Sequence, residues 1–533
     1  MEIDASTYVS TPIAAPLNSG PDPAVQWIEV ASFFQIPGIQ IVGLAGQEVQ
    51  EAKDRIRSAL QASGFELPRK RIILNLSPSS IRKRGTGTDL SMALAVLSAT
   101  EKYEISRKVM AWGELGLDGQ IKSVGQLTRA LFASIREGFD FLFLPREDLV
   151  EASSRLQLIE STYPGRKKPA LIGVSKLKDA WQALGKVARG ESPQTPFNVQ
   201  EAEIEEFQTP IPKDLLPISP SLLRVLCVAL SGSHHLFFYG PKGVGKTHAL
   251  RWLETLLPVP SAEKILTQKL LLELKEGAGH LPGLQWSRRI GQHTRPAALT
   301  GYFHGDCFIP GEYSLAHGGL LIADELPEWP KDTRESLREP LELGSLTLTR
   351  VKGQLNLPAK FILAGNGNLC PCGGWPPELI SRVSQMKKSR CRCQVSTRSQ
   401  YLGRISGPIA DRIDIFQVLS DSGNRLHPNP AEQVQRYREK ILETRERLLQ
   451  SWGNLPGELS GAEVEALLTT HPHWKGCPEI STAGSLRERH KLVRVALSLG
   501  AWEGLPAPLL THFSEASCYR PDRLGITPDS LYS

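Results

Sequence analysis

The 533-residue sequence lacks any hydrophobic run long enough to cross a membrane. A membrane-spanning helix needs about eighteen or more consecutive apolar residues, and no segment approaches that length. The N-terminus also lacks the basic start and apolar block of a signal peptide, and its polar residues 1–24 predict a disordered leader. We therefore expect a cytoplasmic protein with no membrane partner.

Cysteine is sparse and charge is nearly balanced. The eight cysteines are expected to stay reduced in the cytoplasm unless a metal ion binds them. The net charge of +6 permits a polyanionic partner without requiring one, so the distribution of charge carries more information. A hydrophobic fraction of 41% is typical of a globular protein, and the length predicts two to four domains.

The sequence pattern divides the chain into two α/β blocks and a helical end. Residues 25–188 alternate strand and helix signals, such as the buried strand RIILNLS and the helix VQEAKDRIRSALQASG. An acidic, proline-containing linker over 189–212 leads to a second α/β block over 213–425. Residues 426–533 are mostly helical in pattern. The fold class is therefore α/β with a helical C-terminal part.

A glycine-rich segment in the second block predicts a phosphate-binding loop. An apolar strand runs into the loop and a helix follows, which lets backbone N–H groups and the helix N-terminus face phosphate. Lys246 supplies a positive charge for the β and γ phosphates, and the Thr247 hydroxyl is a ligand for Mg²⁺. The loop residues are Gly240, Pro241, Lys242, Gly243, Val244, Gly245, Lys246 and Thr247.

Polar residues at the ends of two later strands complete the prediction of an ATP-hydrolysing site. GGLLIADELPEW places Asp324, a magnesium ligand, and Glu325, which would polarise the attacking water, after a buried strand. AKFILAGNGN ends in two amides that could orient this water without adding charge. Asn368 is the first choice for that role and Asn366 the second.

Further segments resemble the magnesium-chelatase-like AAA+ ATPases, and within them the ComM/YifB group. They are GEYSLAHGGLLIADELPEW, LREPLELGSLTLTR, NLCPCGG and YLGRISGPIADRIDI, with a similar N-terminal stretch containing KRGTGTDLSMALAVLSA. The resemblance covers residues 25–500 and implies a P-loop AAA+ domain, a helical lid and a hexameric ring. It also implies ATP and magnesium as cofactors.

The same resemblance assigns catalytic roles to two arginines. Arg412, in ADRIDI, matches the arginine that completes the neighbouring subunit's site. The alternative is an ordinary salt bridge to Asp411 or Asp414. Arg487 matches a lid arginine that would act on its own subunit's nucleotide.

The N-terminal block resembles the Lon protease fold, which is of the ribosomal S5 type. Peptidase chemistry of that fold needs a serine nucleophile and a lysine base. The resemblance places Gly87 at the nucleophile position and Thr128 at the base position. Both catalytic groups are missing, so we expect an assembly or partner-binding domain without protease activity.

Four cysteines form two Cys-x-Cys pairs separated by eighteen residues: Cys370 with Cys372, and Cys391 with Cys393. Four thiolates in two close pairs suit tetrahedral zinc, and reduced unliganded thiols are the alternative.

Basic residues lie beside these cysteines and in the predicted hairpin LTLTRVKGQLNLP. In a ring, such residues would contact the phosphates of a threaded DNA strand, and solvated loop charge is the alternative. The candidates are Arg350, Lys352, Lys387, Lys388, Arg390 and Arg392. The resemblance thus implies an ATP-driven DNA motor of the branch-migration helicase type. A metal-chelatase or protein-remodelling subunit is the alternative function.

Overall fold

The fold is described from a computed structural model. It describes residues 8–9, 12–17, 23–66, 69–79, 81, 83, 85–101, 103–191, 193, 209–276, 284–304, 307–350, 353–374, 391–419 and 430–522. Within these ranges, every helix is too short or too polar to span a lipid bilayer.

The strands are β1 Tyr8–Val9, β2 Ile13–Leu17, β3 Ala24–Phe33, β4 Gly38–Val42, β5 Arg71–Ser77, β6 Val109–Ala111, β7 Glu114–Leu115, β8 Ile121–Lys122, β9 Phe141–Pro145, β10 Ala170–Val174, β11 Leu236–Tyr239, β12 Ser287–Ile290, β13 Gly301–His304, β14 Cys307–Pro310, β15 Leu320–Ala323, β16 Ser345–Arg350, β17 Gly353–Pro358, β18 Ile362–Gly367 and β19 Ile415–Val418.

The helices are α1 Gln47–Ala62, α2 Asp89–Glu101, α3 Leu127–Arg136, α4 Leu149–Thr162, α5 Leu177–Ala188, α6 Pro220–Gly232, α7 Lys246–Leu256, α8 Ala262–Glu276, α9 Pro296–Thr300, α10 Glu312–Leu315, α11 Lys331–Glu335, α12 Arg338–Leu343, α13 Val395–Leu402, α14 Gly407–Ala410, α15 Pro430–Trp452, α16 Gly461–Thr470, α17 Pro472–Lys475, α18 Pro478–Ser481, α19 Leu486–Trp502 and α20 Leu510–Ser517.

The chain forms two compact units, and the first is built around a mixed sheet. Its strand order is β10-β9-β6-β2-β3-β5-β4, with β1 paired to β3. Helix α1 buries one face through apolar residues at helical spacing, whereas α2 is buried on all sides from Asp89 to Ala99. The predicted strand RIILNLS and the predicted helix VQEAKDRIRSALQASG are therefore confirmed as β5 and α1.

The predicted disordered leader is wrong at residues 13–17. These residues form β2, which is fully buried and pairs antiparallel with β3 and parallel with β6. The short run IAAPL supplies small and apolar side chains that fit inside the sheet, whereas its polar neighbours suggested a disordered segment. The rest of the leader, apart from residues 8–9, 12 and 23–24, lies outside the described residues.

Two segments from the second block belong to the first unit, which the continuous assignment of 213–425 to one domain did not predict. They are Ser261–Leu284 and Gly301–Pro310, and they contain α8 and the β13–β14 hairpin. Leu266 of α8 lies in the core of the first unit. The buried Glu273 of α8 accepts hydrogen bonds from the backbone N–H groups of Thr128 and Arg129, at 2.9 and 3.0 Å, where α3 begins. A carboxylate at a helix N-terminus is favourable because of the exposed N–H groups there.

The second unit contains a five-stranded parallel sheet of order β12-β15-β18-β11-β19. All four residues of β11 and of β15 are buried, as expected for central strands covered on both faces. In a parallel sheet the carboxyl ends of the strands share one edge, where ligands usually bind. The segments after β11, β15 and β18 therefore meet at that edge.

The C-terminal helices belong to the same compact unit as this sheet. Helix α16 begins at a capping box formed by Ser460 and Glu463, and Ser485 caps α19. Helix α19 buries His490 and most residues from Leu492 to Trp502. The charged helix predicted from PAEQVQRYREKILETRERLL is confirmed as α15.

Candidate functional site

The predicted phosphate loop connects β11 to α7, and Lys246 is the first residue of that helix. Gly243 and Gly245 have φ angles of 80° and 101°, and a Cβ added at either position would meet no atom within 4 Å. The left-handed backbone, rather than lack of space, therefore requires glycine at these two positions. This conformation places the loop against the N-terminus of α7, as binding of phosphate requires.

A cavity of about 720 Å³ lies over this loop at the carboxyl edge of the sheet. Its lining brings together Lys242, Gly243, Gly245, Lys246, Thr247, His248, Arg251, Gly291, Gln292, Asp324, Glu325, Asn366 and Asn368. Segments that are far apart in sequence thus converge on one site, as the strand-end pattern predicts.

Lys246 is held inside the cavity by neutral oxygen atoms. Its Nζ donates to the carbonyl oxygens of Gly240 and Pro241, at 2.8 and 3.0 Å, and to Asn368 Oδ1 at 2.9 Å. Burial lowers the pKa of Lys246 to about 8, although the nearby Glu325 opposes this shift. A buried ammonium group with neutral partners is suited to an anionic ligand such as a triphosphate.

Asn366 connects the two adjacent carboxylate residues. Its Nδ2 donates to Asp324 Oδ1 at 2.7 Å, and its Oδ1 accepts from the backbone N–H of Glu325 at 2.8 Å. Glu325 itself has a φ of 50°, an uncommon value for a residue with a side chain. The two amides therefore differ in position, since Asn366 fixes the Asp324–Glu325 turn and Asn368 contacts Lys246.

Sequence reasoning missed Arg289, which lies in β12 beside β15. Its guanidinium donates to Asp324 Oδ2 at 2.7 Å and to Glu254 Oε2 at 3.1 Å. Asp324 and Thr247 line the same cavity, and a carboxylate with a hydroxyl group fits a magnesium ion. Arg289 supplies positive charge to the same carboxylate. The string SRRI gives no signal for this contact, because Asp324 is 35 residues away and only strand pairing brings it close.

The two predicted arginines line a second cavity of about 470 Å³ in the same unit. Arg412 forms an ion pair with Glu342 rather than with Asp411 or Asp414. Arg487 lies 3.4 Å from Asp411 and 3.5 Å from Glu342. None of the residues that line the phosphate cavity also lines this one. The structure thus brings Arg412 and Arg487 together, but does not bring Arg487 to the phosphate loop of its own chain as the cis role requires.

The four paired cysteines form a cluster in the described part of the chain. Their Sγ atoms all lie within 4.8 Å of one another, and none is in a disulfide. Tetrahedral zinc with Zn–S bonds near 2.3 Å requires sulfur separations of about 3.8 Å. Cys370 Sγ lies 3.0 Å from Cys391 Sγ and 3.4 Å from Cys372 Sγ, so modest adjustment suffices for a metal ion.

Comparison with known proteins agrees with this geometry. Residues 220–425 match the sequence profile of the magnesium chelatase subunit ChlI, and residues 28–148 match a second ChlI profile. An uncharacterised protein of Mycobacterium tuberculosis is 30% identical over 94% of this chain and 96% of its own length. The chain belongs to the magnesium chelatase ChlI-like family.

Two named relatives are similar over almost the same extent. The uncharacterised protein YifB of Salmonella typhimurium is 29% identical over 94% of this chain and 95% of its own. The competence protein ComM of Haemophilus influenzae is 30% identical over 91% of this chain and 92% of its own. The chain is therefore a magnesium-chelatase-like AAA+ ATPase related to ComM, as the sequence resemblance predicted.

This ChlI-like chain also has a partial match to Lon protease. The Lon protease of Mycolicibacterium smegmatis is 25% identical over 130 residues, which are 23% of this chain and 17% of that protein. The two positions that would carry peptidase groups can be located directly in the first unit.

Gly87 lies under the indole ring of Trp112. A Cβ added to Gly87 would come within 2.4 Å of two ring atoms, and Trp112 is buried with Nε1 donating to the Gly125 carbonyl at 2.9 Å. Thr128 is also buried, and its Oγ1 accepts from Arg155 Nη1 at 2.8 Å. The ring fills the space of a nucleophilic side chain, and a threonine hydroxyl is not a base.

The predicted DNA-contact residues are described only in part. The hairpin is confirmed as β16–β17, with Arg350 paired to Gly353 at its end. Arg392 is exposed beside the cysteine cluster. Lys352, Lys387, Lys388 and Arg390 lie outside the described residues.

Proposed function

We propose that the chain hydrolyses ATP within a ring of six copies and uses this hydrolysis to move along DNA. One observation supports a site shared between copies. The phosphate cavity holds the loop, the carboxylates and the amides, whereas Arg412 lines a different cavity of the same unit. An arginine presented by a neighbouring copy can complete such a site, which makes turnover depend on assembly.

The roles of the residues follow from their positions. The loop N–H groups and Lys246 bind the phosphates, and Thr247 and Asp324 would hold magnesium, which neutralises phosphate charge when bound. Glu325 polarises the attacking water, and Asn368 orients it near Lys246. Arg289 and Asn366 keep Asp324 and Glu325 in place.

Arg412 stabilises the transition state on the neighbour's nucleotide in this proposal. Because Arg487 lies beside it, we assign both arginines to the neighbour rather than keeping Arg487 on its own chain's nucleotide.

We further propose that the four clustered cysteines bind one structural zinc ion. Thiolates at these distances repel one another, and a divalent cation removes that repulsion. Cys370 lies just after β18 and two residues after Asn368, so bound zinc would fix the segment that follows this strand.

The DNA role depends on the relation to ComM and on the basic residues of the hairpin and cysteine loop. In a ring these residues would contact backbone phosphates, which gives affinity with little sequence preference. The N-terminal unit, which we assign to the Lon-type fold, then serves assembly or partner binding without peptidase activity. Such a motor would work in the cytoplasm.

The test is ATP turnover and strand exchange with branched DNA, using purified full-length protein. We expect forked DNA to raise the turnover rate and ATP to drive displacement of a labelled strand. Glu325→Gln is the matched control, because it should bind ATP and DNA yet displace no strand. An ATP turnover rate that forked DNA does not change, together with no strand displacement, would contradict the proposal.

The family profile itself favours a second candidate. A magnesium chelatase subunit uses a related ATPase, so the chain could remodel a protein partner instead of DNA. Turnover that is unaffected by forked DNA but stimulated by a co-purifying protein would favour this alternative.

A further inference from the structure

The second cavity contains a carboxylate placed between the two arginines. Glu342 Oε2 accepts a hydrogen bond from Arg412 Nη2, and Glu342 Oε1 lies 3.5 Å from Arg487 Nη2. The Glu342 side chain is 50% exposed, whereas that of Arg412 is only 11% exposed. A nearly buried cation is thus paired with an anion that solvent can reach.

Arg412 is incompletely satisfied by this arrangement. Its Nη1 donates to the Pro408 carbonyl, but its buried Nε has no hydrogen-bond partner among the described residues. Burial lowers the pKa of Arg412, and the nearby cations Arg487 and Arg338 add to this effect. Such a group favours an anion of higher charge, because a buried guanidinium is stabilised by charged, bidentate partners.

Other acidic residues of the cavity are already engaged. Asp414 accepts from His234 at 3.0 Å, and Glu458 is paired with Lys360 at 2.7 Å. Lys491 and Arg494 add further positive charge to the cavity lining. Glu342 is therefore the one carboxylate that contacts both arginines among the described residues.

Glu342 is also tied to the base of the candidate DNA hairpin. It lies in the last turn of α12, and β16 begins three residues later. The joint is hydrogen-bonded on both sides, since Thr347 N–H donates to Glu339 at 2.7 Å and Ala359 N–H donates to the Gly344 carbonyl at 2.9 Å. A displacement of Glu342 would therefore be transmitted to the hairpin.

We propose that Glu342 occupies, within one chain, the place of the triphosphate that a second copy presents to Arg412 and Arg487. This inference rests on the proposed function, because it needs the two arginines to act on a neighbour's nucleotide. The triphosphate replaces the carboxylate, so the arginines are never left unpaired. Glu342 returns to solvent, which costs little since it is already half exposed. Its release frees the base of the β16–β17 hairpin and links the neighbour's nucleotide to the DNA contact.

The first test compares Glu342→Gln with Glu335→Gln in the full-length protein. Glu335 lies in the same segment and pairs only with exposed Arg338, at 3.3 Å, among the described residues. We expect Glu342→Gln to lower the protein concentration for half-maximal ATP turnover by about five-fold, since the arginines are no longer held. Glu335→Gln should match the wild type. An unchanged or higher half-maximal concentration for Glu342→Gln overturns the proposal.

The second test measures hydrogen exchange of the hairpin amides 345–349 and 353–357 without nucleotide. Loss of the Glu342 charge should speed their exchange at least about three-fold, while Glu335→Gln leaves it unchanged. Unchanged exchange in Glu342→Gln also overturns the proposal. The exchange measurement needs neither ATP nor a neighbouring copy, so it tests the Glu342 proposal alone. The shared ATP site is tested separately, by mixing Lys246→Ala with Arg412→Ala, so the two failures can be told apart.

Discussion

At the scale of single residues, the charge state of Lys246 depends on what occupies the phosphate cavity. Among the described residues its ammonium group donates to two carbonyls and an amide oxygen, and burial lowers its pKa to about 8. A bound triphosphate reverses this effect, because a nearby anion favours the protonated form. Nucleotide binding is therefore coupled to protonation of Lys246.

This coupling predicts that ATP affinity falls as the pH rises above about 8. Above that pH the free chain has lost the Lys246 proton, so binding must also take up a proton, and affinity should fall by up to about ten-fold per pH unit. The affinity should stop falling once the pH exceeds the pKa that Lys246 has in the complex with ATP, which is higher than in the free chain. Titration with a labelled ATP analogue at pH values of about 7.5, 8.5 and 9.5, which are about one unit apart, measures this change in affinity.

Lys246→Arg is the matched control for this prediction. Its guanidinium keeps its proton across the range, so any binding that it retains should not change with pH. Wild-type affinity that is equally flat between pH values of about 7.5 and 9.5 would contradict the assigned environment of Lys246.

Single residues also show which parts of the site can be predicted from the sequence and which cannot. Lys246, Asp324 and Glu325 belong to local motifs, so their positions could be inferred from short strings. Arg289 and Glu342 could not, because their partners Asp324 and Arg412 lie 35 and 70 residues away in sequence. Their contacts depend on strand pairing and helix placement that no short string specifies.

At the scale of elements, the cysteine cluster joins two segments separated by eighteen residues. If it is a structural site, purified protein should contain about one zinc ion per chain. Cys391→Ser removes one ligand and should lower both zinc content and thermal stability. Elemental analysis of protein purified without chelator is the measurement.

Cys518→Ser is the control for the zinc prediction, since Cys518 is exposed and outside the cluster. It should keep the full zinc content. Active wild-type protein that contains no zinc would leave the four cysteines as ordinary thiols.

The contact of Trp112 with Gly87 makes the N-terminal unit testable as a fold without peptidase chemistry. Gly87→Ser places a side chain into the indole ring, so we expect a loss of about 1–3 kcal/mol in unfolding free energy and no peptidase activity. Gly38→Ser is the control, because a Cβ there meets no atom within 4 Å. Thermal unfolding and a casein-digestion assay check both outcomes, and peptidase activity in Gly87→Ser would contradict this account.

Helices and strands are predicted best where a single hydrophobic or charge pattern runs through the whole segment. The buried strand β5 and the long charged helix α15 have unmistakable periodicity. Strand β2 was missed because five apolar residues between polar ones resemble a leader, and only pairing with β3 and β6 shows its place.

At the scale of the whole molecule, the chain returns to the first unit twice after the second unit has begun. Helix α8 follows the phosphate-loop helix in sequence yet belongs to the first unit. Its buried Glu273 pairs with Arg155 at 2.6 Å, 118 residues away. The two α/β blocks were inferred from the sequence pattern, whereas the place of α8 in the first unit depends on side chains that meet only after folding.

The central claim at this scale is that one copy completes the ATP site of the next. Arg412→Ala should bind ATP but hydrolyse it poorly, because its own phosphate loop is intact. Lys246→Ala should lose nucleotide binding, yet it still carries Arg412. Each variant therefore has what the other lacks, provided that the arginine acts between copies.

The most direct measurement is ATP turnover of equimolar mixtures of Lys246→Ala and Arg412→Ala. Where a Lys246→Ala subunit presents its Arg412 to the intact phosphate loop of the other variant, a complete site is rebuilt. We predict that the mixture recovers a substantial fraction of wild-type turnover, well above the sum of the two variants alone. Mixed rings that form, as verified by co-purification of differently tagged chains, yet turn over ATP only at that sum would contradict the account.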